Sequence, residues 1–314
     1  MDPGIDTIYG GGMSASAITA ATLILRGSDC ELEIDAATGG SVRAFRWNGL
    51  DIFRGQTKAG VLESACFPLV PFCNRIADSR FNHYGSAIIL APNHPALPQE
   101  PVLHGFGWLA EWRVEQCDAS RATLIFDYVA SEWPWRFFAR QNFILDADGL
   151  LIELTLTNLA AQPMPAGLGF HPYFPRSQHS IVQASHRGER QADGTLRFQS
   201  QAMDWWQGNP VDTRIVDTTY VERCGNIRIL WPDRDLGAEL VPGPGLTSTH
   251  IFVPREADYF CVEPVSHLPE AFTTADEAKG WRLVPPGKTM KANLRVRPYA
   301  LSQSETNVAA SGHA

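Results

Sequence analysis

The stretch Met290–Pro298, "MKANLRVRP", decides the fold. Met290, Ala292, Leu294 and Val296 alternate with Lys291, Asn293, Arg295 and Arg297. A period of two puts one face on a core and the other in water, which is a half-buried strand and not a helix. The same alternation runs through Ile152, Leu154 and Leu156 of "LIELTLTN". That segment follows "FILDADGLL", whose Asp146-Ala147-Asp148-Gly149 is a hairpin signal. "CELEID" (Leu32, Ile34), "ATLIFDYVA" and "NIRILWP" read as further short strands. The 26 glycines and 22 prolines are dispersed as turn punctuation and form no low-complexity block. Helical stretches are few, the best being "EAFTTADEAKGW" at 270–281. Many short strands in a chain of this size predict an all-β protein, a large antiparallel β-sandwich with few short helices. In such a fold a site is assembled on one sheet face from residues far apart in sequence.

Composition narrows the function classes. Of 314 residues, 44% are hydrophobic, enough to bury a large core. The net charge of −8, without a basic run, argues against a nucleic-acid or anionic-membrane partner. No segment approaches the roughly 20 apolar residues needed to cross a bilayer. The start "MDPGIDTIYGGGMSASAITA" has no basic region followed by an apolar core, so residues 1–20 read as a flexible leader, with Met13 a second candidate start. Residues 21–300 read as one sandwich domain and 301–314 as a flexible tail. Six scattered cysteines without a CxxC pair fit a reduced, cytoplasmic setting.

Five segments carry polar residues in rigid or aromatic settings. In "GFHPYF" the proline after His171 holds that histidine extended between rings. "FPLVPFCNRIADSRF" places Asn74 and Arg75 just after two prolines, and "VLHGFGW" places His104 before a Gly-Phe-Gly-Trp run. "IVDTTYVE" carries Asp217, whose commonest use would be to cap a turn. "YFCVEPVSHLPEAF" places Glu263 after an apolar strand, with His267 four residues on. A carboxylate on a buried strand must be paired or hydrogen-bonded, because an uncompensated buried charge is expensive. Structural roles remain open for the others: an ion-paired surface arginine, or a histidine capping a turn. No HExxH, paired-cysteine, GxSxG, GxGxxG or P-loop pattern is present, so no metal, hydrolase serine or phosphate-cradling loop is indicated. A set of His, Glu, Asp and Arg among aromatics suits a neutral, hydroxyl-rich ligand.

"NRI", "LHGFGW", "GFHPYF" and "VEPVSHLPEAF", in this order and at these separations, resemble the aldose 1-epimerase (mutarotase) family. The resemblance runs from about "DAATGGSVRAFRWNG" to the last strand. It implies a galactose mutarotase-like supersandwich that needs no cofactor and no metal, with a monosaccharide such as galactose or glucose as its partner, as monomer or homodimer. Carried over by motif, Glu263 resembles the family's catalytic base and His171 its acid, on opposite sides of the hemiacetal bond. His104, Arg75 and Asn74 resemble its sugar-holding residues. Asp217 resembles its substrate-binding aspartate, with Asp212 as the rival position. The chain departs from the family's glycine-rich loop before the first histidine and from the usual ending around the glutamate, which leaves the preferred sugar open.

The expected activity is interconversion of the α and β anomers of a free hexose. A hexose 6-phosphate is the second candidate substrate, with Arg80, Arg136 and Arg176 near the motif segments as candidate phosphate ligands. Three further activities suit the same residues. These are action on a sugar acid or lactone, glycoside hydrolysis with Glu263 and Asp217 as the two carboxylates, and sugar binding without catalysis.

Overall fold

The computed structural model describes residues 22–27, 29–204, 206, 215–272, 280–302 and 305. The predicted leader and Asp212 lie outside the described residues, as does the tail apart from residues 301, 302 and 305. The alternating segments form strands where their periodicity places them: Cys30–Asp35, Arg121–Tyr128, Gly149–Asn158, Ile227–Trp231 and Thr289–Ala300. The turn signal closes a hairpin in which Asp146 pairs with Gly149. The helical expectation at 270–281 is corrected at its start, where Pro269–Phe272 forms a single 3-10 turn. Residues 273–279 lie outside the described residues. No helix among the described residues is long and apolar enough to cross a membrane.

Two large antiparallel sheets dominate. One runs in the order Ile181–Gln183, Ile227–Trp231, Leu236–Pro242, Thr289–Ala300, Gly149–Asn158, Phe137–Asp146, Arg121–Tyr128, Arg113–Cys117. The other runs Leu196–Asp204, Ser185–Arg190, Val216–Arg223, Ser248–Val253, Tyr259–Val265, Gly169–Phe170, Pro68–Leu69, with Tyr173–Pro175 also paired to Tyr259–Val265. Leu150, Ile152, Leu154 and Leu156 of the first share one hydrophobic cluster with Ile251, Val253, Phe260 and Val262 of the second.

The period of two then decides what the second sheet shows on its other face. Along Tyr259–Val265, Phe260 and Val262 enter the main cluster, whereas Cys261 and Val265 belong to a smaller one with Phe67, Trp108 and Tyr173. Glu263 stands between Cys261 and Val265, so it belongs to that outer face. Along Ser248–Val253, Ile251 and Val253 point to the main core, which leaves His250 and Phe252 on the outer face. The site is built there, on a sheet face braced from behind by the core.

Gly149 shows how narrowly the hairpin is specified. Its φ is 96°, and an added Cβ would lie 2.4 Å from the Val296 carbonyl oxygen on the adjacent strand. Gly149→Ala is expected to lower stability by about 1–3 kcal/mol. A thermal melt would read this as a fall of several degrees in Tm, and an unchanged Tm would contradict the strain argument.

Candidate active site

His171 follows the short strand Gly169–Phe170, and its backbone N–H donates to the Phe67 carbonyl at 3.0 Å. Pro172 keeps the chain extended into Tyr173–Pro175. The imidazole lies against the rings of Phe67, 4.5 Å between centroids, and Tyr173, 4.7 Å. Its Nε2 is 3.2 Å from Oε1 of Glu263. Both residues are buried, Glu263 at 1% exposure. Nδ1 of His171 has no hydrogen-bond partner among the described residues.

Burial drives both groups toward neutrality. It lowers His171 from 6.5 to about 3, with the charge of His250 adding to the fall. It raises Glu263 from 4.5 to about 7; His250 lowers that value and Asp217 raises it. The two groups stand side by side in direct contact.

The second histidine is wired differently. His104 and Asn74 both have positive φ, 59° and 55°. Their backbones are joined reciprocally: the His104 N–H donates to the Asn74 carbonyl at 3.0 Å, and the Asn74 N–H donates to Nδ1 of His104 at 3.1 Å. Gly105 clamps this arrangement, since its φ of 71° brings its Cα so near Val70 that a Cβ would sit 2.3 Å from the Val70 carbonyl oxygen. A ring nitrogen that accepts from an amide carries no proton, so the proton of neutral His104 sits on Nε2. Burial holds the ring neutral by pushing its pKa well below the usual range. His104 is thus a fixed hydrogen-bond donor.

All six sequence-predicted site residues, Glu263, His171, His104, Arg75, Asn74 and Asp217, line one cavity of about 360 Å³. The backbone N–H of Arg75 donates to Oδ1 of Asn74 at 2.7 Å, and its guanidinium lies 3.6 Å from the Glu100 carboxylate. Asp217 lies within the strand Val216–Arg223, which corrects the turn-capping reading. Its carboxylate is 3.2 Å from Nε2 of His250. His267 stands apart from the cavity. Its Nε2 accepts the Cys73 N–H at 2.8 Å and its Nδ1 is 2.8 Å from the Leu268 carbonyl, a bonding pattern that ties two loops together. Arg80, Arg136 and Arg176 are not among the lining residues.

Sequence reasoning missed His250, Arg54 and Tyr259. For His250 a signal existed, because the alternation of "STHIFV" sets it on the face opposite Ile251 and Val253. Arg54 had none: its guanidinium lies 4.5 Å from the Tyr173 ring centre and 4.3 Å from that of Tyr259, and it donates to the carbonyls of Leu62 and Ser64. It fixes Tyr173, which in turn supports His171.

His104, His171 and Glu263 offer ligand atoms within 4.8 Å of one another, so the spacing alone would suit a metal ion. The wiring of His104 opposes it. A neutral imidazole that binds a metal through Nε2 must carry its proton on Nδ1. Here that proton would face the Asn74 N–H, donor against donor.

Comparison with known proteins shows the fold to be that of a family of carbohydrate isomerases. The aldose 1-epimerase family profile matches residues 27–297. The chain is 32% identical over 254 residues to the uncharacterized protein YphB of Escherichia coli K12, covering 76% of this chain and 86% of that one. A crystal structure from Escherichia coli K12, provisionally assigned as an aldose 1-epimerase, superposes with a TM-score of 0.81 at 28% identity, covering 89% of this chain and 99% of that one. A galactose mutarotase-like protein from Clostridium acetobutylicum shares the fold at a TM-score of 0.76 and 15% identity, over 89% and 95% of the two chains. The chain belongs to the aldose 1-epimerase family.

The neutral histidines set an acid limit on stability. Burial lowers His171 and His186 to about 3, His267 to about 4, and His104 well below 6.5. Unfolded, each takes up a proton near 6.5, so below that pH the unfolded state binds more protons and stability falls as pH falls. Glu263 and His250 oppose this: the raised value of Glu263 favours the fold below about 4.5 and that contribution is lost as pH rises toward 7, and the raised value of His250 favours the fold below 6.5. Four groups outweigh two. The urea midpoint is expected to fall between pH 6.5 and 5, each histidine contributing up to about 1.4 kcal/mol per pH unit. A flat or rising midpoint would contradict the neutral assignment.

Proposed function

We propose that the protein interconverts the α and β anomers of a free, unphosphorylated hexose by acid–base ring opening and reclosure. The observation that carries this reading is the 3.2 Å contact between Nε2 of His171 and Oε1 of Glu263 inside the cavity. The C1 hydroxyl and the ring oxygen of an aldose share one carbon. A base for the first and an acid for the second must therefore be neighbours.

The proton balance fixes the reactive state. Opening removes a proton from the C1 hydroxyl and delivers one to the ring oxygen, while the C1–O bond to the ring breaks and a C1 aldehyde forms. A neutral imidazole would be left as an anion, so His171 must donate as imidazolium while Glu263 accepts as carboxylate. That ion pair holds the same number of protons as the neutral pair that burial favours, so the two forms exchange by one shift along the hydrogen bond. Sugar hydroxyls that hydrogen-bond to the pair stabilise its charged form. After opening, Glu263 is protonated and His171 neutral. Rotation about C1–C2 presents the other face of the aldehyde, and the reversed transfers close the second anomer.

The surroundings suit a neutral polyol. Nε2–H of His104 and the guanidinium of Arg75 would donate to ring hydroxyls, and half-buried Phe252 and Tyr259 offer apolar surface to the sugar face. Opposite charges are mixed around the cavity: Arg54 and Arg75 against Glu63, Asp217 and Glu263. Arg54 is already engaged with two carbonyls and two rings. None of the arginines expected to hold a phosphate lines the cavity, which favours an unphosphorylated sugar. Glycoside hydrolysis fits less well, because His250 stands between Asp217 and Glu263 and engages the Asp217 carboxylate.

Because the active pair holds one shared proton, kcat/KM is expected to fall on the alkaline side as that proton leaves, near neutrality given the value of about 7 for Glu263. Glu263→Gln removes the proton acceptor and His171→Asn the donor. Each is expected to slow polarimetric equilibration of a fresh α-hexose by about 10²–10⁴-fold while leaving the fold intact. A wild-type rate in either variant would refute its assigned role. Arg75→Ala is expected to raise KM with little change in kcat, and an unchanged KM would count against sugar holding.

A further inference from the structure

We propose that His250 is a positioning residue for the reaction above: placed as a cation between Asp217 and Glu263, it holds Glu263 in the carboxylate form that accepts the sugar proton. The inference rests on the proposed epimerase reading and adds to it a residue that no sequence motif supplied.

The geometry is set by the sheet. His250 and Glu263 are directly opposed partners on adjacent antiparallel strands. Opposed side chains on one face start about 4.5–5.5 Å apart at their Cβ atoms. On the other side, His250 has the strand Val216–Arg223. Thr219 is its directly opposed partner there, and the Thr219 hydroxyl lies 2.9 Å from Nδ1. The Asp217 carboxylate lies 3.2 Å from Nε2. A hydroxyl and a carboxylate can both accept, so both ring nitrogens can carry protons without a clash of donors. This wiring is opposite to that of His104, whose Nδ1 faces an amide N–H. Two buried histidines 5% and 7% exposed are therefore sorted by their partners into one that stays neutral and one able to hold charge.

The groups around His250 give the sign. Burial disfavours its charge, but Glu263 beside it and Asp217 bonded to it outweigh that, and its pKa is raised. Arg190, at the end of the strand Ser185–Arg190, works against the charge, and Arg75 lines the same adjoining cavity. The rings of His104 and His171 face it as neutral groups in the resting site, and its charge opposes the imidazolium form of His171. In return its cation lowers the pKa of Glu263, which burial alone would leave higher still. His250 also lines the adjoining cavity of about 290 Å³.

The test has two arms. In the first, kcat/KM for anomer exchange is measured against pH for the wild-type chain and His250→Gln, which keeps a neutral hydrogen-bonding side chain. Loss of the cation is expected to move the limb governed by Glu263 upward by on the order of one pH unit. It should also reduce the rate at neutral pH about tenfold, mainly in kcat. A pH profile that keeps its shape while the rate falls equally everywhere would overturn the proposal, as would a change confined to KM. In the second arm, the imidazole of His250 is titrated by NMR in the wild-type chain and in Asp217→Asn. The midpoint is expected above 6.5 and should drop in the variant; a neutral His250 throughout the neutral range overturns the proposal without reference to activity. If the wild-type chain exchanges no anomers, the functional reading fails while the charge of His250 is still read by the second arm. If His250→Gln does not fold, the second arm decides.

Discussion

Burying Glu263 against His171 takes a carboxyl and an imidazole out of water together, and the rest of the site answers that cost. Neither group holds its charge easily in so dry a place, so the pair rests near neutrality with one proton between its members. The same poise suits the pair to moving protons in either direction. What sustains it is the sheet face beneath: Phe260 and Val262 anchor the strand in the main core, and Cys261 and Val265 flank the carboxyl on the outer side. The pair is precise because its carriers are rigid, a strand for Glu263 and a proline-stiffened crossing between two short strands for His171.

His104, His267 and His250 are all buried, and each is assigned by what its ring nitrogens touch. An amide against Nδ1 makes His104 a neutral donor through Nε2. An amide and a carbonyl make His267 a tie between loops. A hydroxyl and a carboxylate leave His250 able to carry charge. Arg54, stacked between two tyrosines and bonded to two carbonyls, follows the same logic, for a cation that looks available for a ligand is already engaged in holding Tyr173.

Much of this was legible in the sequence, for identifiable reasons. Strand alternation is a local signal, so "MKANLRVRP" and "LIELTLTN" revealed their strands and even which residues face the core. Glu263 and His171 stood out because a carboxylate on an apolar strand and a histidine before proline are each uncommon choices. What stayed hidden depends on contacts between distant segments. That His250 is opposed to Glu263 is a matter of register, and that Asp217 serves His250 instead of a turn depends on a pairing across more than thirty residues. Both appear only when strands are aligned. The side-by-side contact of His171 and Glu263 was likewise unreadable from spacing, since the two positions are 92 apart in the chain.

On the proposed reading, one shared proton between these two side chains opens and recloses a hemiacetal while leaving a glycosidic bond alone. Two-dimensional exchange NMR of a free hexose together with its methyl glycoside is the decisive measurement. Enzyme-dependent cross-peaks between the α and β H1 signals of the free sugar are expected, with the glycoside unchanged. Absence of accelerated exchange across a panel of unphosphorylated hexoses, or hydrolysis of the glycoside, would contradict it.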